Sequence, residues 1–118
     1  MNYHFIDIEG KEIKFRLTSK EMTELEKRTN RKLLEILQDD SINSIITVLK
    51  HMRRFEVPNF SHDDACELFD ELADAGYSLE RIEKEIIMPA CVASGLLTKS
   101  DLTKALKKSE EQATQTLA

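Results

Sequence analysis

The sequence predicts a mainly α-helical α+β fold: a short N-terminal β-hairpin followed by a compact bundle of about five helices. Three observations carry this. Between Ser41 and Phe55, the residues Ile42, Ile45, Ile46, Leu49, Met52 and Phe55 recur at the spacing of one helical face, broad enough to be the stripe that other elements cover. Ahead of it, two runs rich in β-branched and aromatic residues, Tyr3 to Ile8 and Ile13 to Leu17, flank Glu9-Gly10-Lys11-Glu12, as in a hairpin. Beyond it, apolar helical patterns each start at a Ser or Thr cap and stop at Gly. At 118 residues the chain is the size of one domain. Residues 1–106 are assigned to it, and the polar stretch 107–118, too poor in apolar residues to repay its ordering entropy, to a disordered tail.

In chain order, a two-residue turn at Glu9-Gly10 pairs Ile8 with Lys11, Ile6 with Ile13 and His4 with Phe15. That register puts Ile6, Ile8, Ile13, Phe15 and Leu17 on the face to be buried, and leaves Tyr3 and Phe5 with the polar residues. Thr18 with Glu21 has the pattern of a reciprocal capping box opening the first helix, in which Met22 and Leu25 give a thin apolar stripe and Asn30 is a left-handed stop. Leu33, Leu34, Ile36 and Leu37 form a short helix, and Asp39-Asp40-Ser41 caps the central one. After Val57-Pro58, Ser61 to Asp64 caps a helix whose Ala65, Cys66, Leu68, Phe69, Leu72 and Ala73 are apolar, closed by Gly76. Ser78 starts the next helix, in which Pro89 predicts a kink between Glu85 and Pro89 or two abutting helices. Gly95 ends it, and Thr98 to Asp101 caps a last short helix carrying Leu102, Ala105 and Leu106.

Composition narrows function without naming it. Charged residues are 33%, hydrophobic ones 41% and aromatics 6%, as in a soluble protein with an aliphatic core. No apolar run reaches the roughly 20 residues that cross a bilayer, and the start lacks a signal-peptide pattern, so a cytoplasmic protein is expected. A net charge of -5 gives no general pull toward nucleic acid or anionic membranes. Cys66 and Cys91 sit in apolar helical patterns and are expected to be reduced core thiols. His62 and Cys66 have ligand spacing, but a structural zinc takes about four ligands and His4, His51 and Cys91 are scattered, so no metal is expected. Cys91 lacks the surroundings of a nucleophile. The acidic row Asp63, Asp64, Glu67, Asp70, Glu71 and Asp74 reads as a solvated face rather than paired catalytic carboxylates. With no glycine-rich phosphate loop, no enzyme and no cofactor are expected. The basic run Lys50, Arg53 and Arg54 is the one phosphate-binding candidate, read foremost as cations favoured near a helix C-terminus.

Phe15-Arg16-Leu17-Thr18, Glu24-Leu25-Glu26-Lys27, the Ile/Leu-rich helix after them, Leu68-Phe69-Asp70-Glu71, Ala75-Gly76-Tyr77-Ser78 and Ser94-Gly95-Leu96 together give the chain, from about residue 3 to 97, a pattern that resembles a known family. It resembles the tail assembly chaperones of long, non-contractile-tailed bacteriophages and prophages of Gram-positive bacteria. One departure is Thr29-Asn30-Arg31-Lys32, where such proteins often carry glycine. The resemblance implies a non-structural protein that binds and solubilises the tape-measure protein, helps recruit tail-tube subunits, and is missing from the mature virion. It also implies a possible longer form made by frameshifting near the end.

Apolar residues at helix ends and in loops are harder to bury than those in mid-stripe, which makes Met52, Phe55, Val57, Phe60, Leu96 and Leu97 the candidate partner-binding residues, core packing being their other reading. The rival functions are a small nucleic-acid-binding regulator using Lys50 to Arg54 and a structural phage head or tail component. Self-association through the hairpin edge is compatible with all three.

Overall fold

The computed structural model describes residues 2–101. Strands β1 (His4–Ile8) and β2 (Lys11–Phe15) form an antiparallel hairpin, followed by helices α1 (Ser19–Thr29), α2 (Leu33–Gln38), α3 (Ile42–Arg53), α4 (His62–Asp74) and α5 (Leu79–Ile82). A π-helical segment (Glu83–Ile87) then runs into α6 (Met88–Ala93). The α+β class is as the sequence predicts. After Thr98, residues 99–101 are helical as expected, Thr98 and Asp101 exchanging side-chain and backbone bonds of 2.9 and 3.0 Å; the expected apolar residues Leu102, Ala105 and Leu106 and the polar tail lie outside the described residues.

The hairpin has the predicted register, His4 opposite Phe15, Ile6 opposite Ile13 and Ile8 opposite Lys11. Its turn holds Glu9 at φ 51° and Gly10 at φ 85°, the doubly left-handed turn that matches strand twist, and the Gly10 amide donates to Asp7 Oδ1 at 2.9 Å. Ile6, Ile8, Ile13, Phe15 and Leu17 are buried, while Phe5 is 55% exposed. A two-stranded sheet is marginal alone, and here α3 closes one side of it. The Arg16 amide donates to the Met52 carbonyl at 3.1 Å, and Arg53 Nη1 to the Lys14 carbonyl at 2.7 Å. In a two-residue hairpin, outward-pointing backbone groups alternate with paired ones, so on β1 those of Phe5 and Asp7 form the outer edge.

Around α3, β2, α1 and α4 pack on different sides, with the π-helical segment against its N-terminal half. This explains where the single-stripe reading fails. Ile45, Ile46, Leu49 and Met52 are buried as predicted, but so are Val48, Lys50 and His51. Ile42 is 51% exposed and Phe55 lies beyond the helix, half-buried. On α4, Ala65, Leu68 and Leu72 are buried, Cys66 and Phe69 half-buried and Ala73 exposed.

Pro89 does not break its helix. The backbone stays right-handed helical from Ile82 through Met88, and the strain is absorbed by widening: the Met88 amide bonds to the carbonyl of Glu83, five residues back. Pro89 then occupies the first turn of α6, where a missing amide costs least. Both left-handed glycines end their helices in the same way. Tyr77 N bonds Leu72 O, and Leu96 N bonds Cys91 O, each at 3.0 Å, the six-to-one closure in which the residue after glycine also packs on the helix.

Candidate functional site

Three elements meet at one corner of the fold, and the consecutive residues Arg16 and Leu17 mark it. Arg16 N is held by the Met52 carbonyl at the end of α3, and Leu17 N by Ser94 Oγ at the end of α6, at 2.9 Å. The 54–60 and 94–97 segments therefore set out from either side of this dipeptide. They carry five of the six candidate partner-binding residues: Phe55, Val57, Phe60, Leu96 and Leu97 are all half-buried. Met52, the sixth, is 0% exposed and belongs to the core, which corrects its candidacy as a surface anchor. In the last turn of α3, where its carbonyl holds the Arg16 amide, its side chain is enclosed by the core and has no surface to offer.

The half-covered residues differ in what already occupies them. Phe60 packs on the core, and Arg53 lies over its ring, guanidinium carbon 5.7 Å from the centroid. Leu96 follows Gly95 in the helix closure, so its packing serves the end of α6. Leu97, like Phe60 and Leu96, packs on the core; Phe55 and Val57 are not part of that packing, and of the six candidates they are the ones freest to contact another molecule.

The basic run is turned inward. Arg53 spans from α3 to the Lys14 carbonyl and to Glu56 at 3.3 Å. Arg54 Nε donates to the Phe60 carbonyl at 3.0 Å, and its Nη1 lies 3.9 Å from Glu21. Lys50 is 7% exposed, and burial, with Arg28 and Arg54 nearby, lowers its pKa. These cations tie loops and strands to α3, so they form no open phosphate-binding face.

Behind them lies a buried polar pair that the sequence reading missed. Glu21 was expected to complete a capping box with Thr18. Thr18 Oγ1 does accept the Glu21 amide, at 3.3 Å, but the Glu21 carboxylate turns away to His51, 2.9 Å from Nδ1. Glu21 is 9% exposed and His51 0%. An ionised carboxylate only accepts, so Nδ1 carries the proton, and Nε2 is left buried with no partner among the described residues. Burial lowers the His51 pKa most; the Glu21 carboxylate works against it, and Lys50 and Arg54 with it. The pair pins α1 to α3. A glutamate and a histidine separated by 30 residues give no local signal.

The remaining chemical candidates are dispersed. His62 is exposed at the start of α4, Cys66 is half-buried and Cys91 fully buried; both cysteines are free thiols. Burial pushes the Cys91 thiol up to about 12, so it stays protonated and unreactive. Among the described residues, no three His, Cys, Asp or Glu side chains gather where they could hold a metal. On α4 the acidic row faces solvent, except that Asp64 completes a capping box with Ser61 at 2.9 and 3.1 Å and Glu71 lies 3.7 Å from Lys11. No helix of the described residues is long and apolar enough to cross a membrane. No protein-family model, curated protein or solved structure matches this chain.

Proposed function

We propose that the chain is a tail assembly chaperone of a long, non-contractile-tailed phage or prophage. In the host cytoplasm it binds the helical tape-measure protein, keeps it soluble, helps bring in tail-tube subunits, and departs before the virion matures; it catalyses no reaction. Beside the sequence resemblance, one observation supports this reading: Phe55 and Val57, just past the end of α3 where Arg16 is held, are half-covered apolar side chains outside the core packing. A tape measure exposes long apolar helical stripes that aggregate unless covered, and a small helical protein with an apolar corner covers them through helix-in-groove contacts.

Val57→Asp and Phe55→Asp test the surface. Each is expected to leave the circular dichroism spectrum unchanged and to abolish co-purification of the tape-measure protein that the parent chain retains. Variants that still hold the tape measure would move the contact elsewhere, and a parent chain that holds none would overturn the function.

A further inference from the structure

The fold closes one edge of its hairpin and leaves the other open. On β2 the outward backbone groups are taken up by the end of α3: the Arg16 amide donates to Met52, and the Lys14 carbonyl accepts from Arg53. On β1 the outward amides and carbonyls of Phe5 and Asp7 meet no partner among the described residues. Devices that usually blunt such an edge are missing from it, because the pairing runs from His4 to Ile8 without a bulge and the strand carries neither lysine nor proline. Phe5, in the middle of this edge, is 55% exposed. Tyr3, 38% exposed, meets it edge-on with ring centroids 6.4 Å apart.

The solvent face of the hairpin is polarised along its length. Toward the turn, Asp7 stands directly opposite Glu12, a like-charge pair, and Lys11 is engaged by Glu71 of α4 at 3.7 Å. Toward the open end come two cations. Lys14 Nζ lies 4.9 Å from the centre of the Tyr3 ring and 3.9 Å from Glu12. Arg16 reaches back across to the β1 side, where its Nη1 donates to the Asn2 carbonyl. Among the described residues no cation is paired with Asp7.

We propose that β1 pairs antiparallel with β1 of a second copy of the chain, joining two hairpins into one four-stranded sheet about a two-fold axis at Phe5. This axis sets Phe5 against its own copy, an aromatic cross-strand pair, and places Tyr3 of the second copy beside Asp7. Arg16 of the second copy is then one strand further on, about 10 Å from Asp7, a span that an arginine side chain covers. The acidic end of each hairpin thus faces the basic end of the other, and the two-fold repeats the match. An axis at Asp7 would oppose two aspartates, and one at Ile6 would set Asp7 against Phe5 and give up the aromatic pair. The pairing uses the hairpin alone and stands whether or not the chain is a chaperone.

Sedimentation equilibrium of the full chain from about 10 µM to about 1 mM tests it, a range suited to an interface at the small end of the scale. The mass is expected to climb from one chain to two. Phe5→Lys should hold it at one chain throughout, with the far-UV circular dichroism spectrum unchanged. Amide exchange followed by NMR locates the contact: Phe5 and Asp7 should exchange about tenfold more slowly at the concentrated end than at the dilute end, and equally at both in Phe5→Lys. Asp7→Arg and Arg16→Glu should each be single chains, and an equal mixture of the two should pair again. A single-chain mass up to the top of the series, a dimer that survives Phe5→Lys, or a dimer in which Phe5 and Asp7 gain no protection would overturn the proposal, the first leaving the edge to a strand of a different protein.

Discussion

Replacing Glu21 with alanine removes the carboxylate that holds His51 and leaves a fully buried imidazole with neither nitrogen partnered. A hydrogen bond to a charged group contributes about 1.5–3 kcal/mol, and the orphaned Nδ1–H retains its desolvation cost, so the upper half of that range is expected. The N-terminal cap of α1 is not affected, because Thr18 accepts from the backbone amide of Glu21 and not from its side chain. For a domain of this size each kcal/mol shifts Tm by roughly 4–8 °C, which puts the fall at about 10–20 °C. Glu21→Gln keeps an acceptor oxygen and should lose about half as much. Thermal unfolding followed by far-UV circular dichroism at neutral pH measures both, and a cycle with His51→Leu isolates the pair, with an expected coupling of about 1–2 kcal/mol. A Glu21→Ala variant within about 0.5 kcal/mol of the parent, as for an ordinary surface change, would refute the pinning of α1 to α3 by this contact.

Acidification should act on the same pair. The His51 pKa is lowered in the folded chain, so the unfolded chain takes up the proton first; stability is expected to be level above about pH 6.5 and to fall as the pH drops below it. Denaturant melts across that range should show the slope in the parent and lose it in His51→Leu. Glu83 has the opposite sign: its pKa is raised by burial and neighbouring carboxylates, so its charge destabilises the fold at neutral pH. Glu83→Gln should raise the urea midpoint at pH 7 and confer no gain below the ordinary glutamate range. Met52→Ala should cost about 2–5 kcal/mol, whereas Val57→Asp should stay within about 1 kcal/mol, as chemical denaturation of the two variants will measure. In the native chain Cys91 should resist a thiol reagent that reacts with half-buried Cys66, both becoming reactive in denaturant.

What the sequence reveals depends on whether a residue's fate is decided locally. The hairpin register was legible because a two-residue turn and a period of two leave no alternative that buries Ile6, Ile13 and Phe15 together. Helix ends at Asn30, Gly76 and Gly95 were legible for the same reason, left-handed geometry being a property of single residues. Glu21 shows the limit. A glutamate at the third helical position can reach back to the cap or outward to another helix, and only the fold decides that His51 takes it. Pro89 shows another: the local rule predicts an interruption, as a kink or two abutting helices, and only the fold decides that it takes the form of a widened turn between α5 and α6. Lys50 and His51 fell outside the predicted apolar stripe because the reading of α3 allowed for one covered side, whereas β2, α1, α4 and the π-helical segment all pack on it.

The central claim concerns an apolar helical client, and the soluble fraction of that client measures it most directly. A phage tape-measure protein is to be expressed in bacteria alone and together with this chain, and the lysates separated by centrifugation. Co-expression should move the tape measure from the pellet into a soluble complex that contains this chain, and Val57→Asp and Phe55→Asp should return it to the pellet. A tape measure equally insoluble with and without the chain, and no complex between them, would contradict the chaperone function.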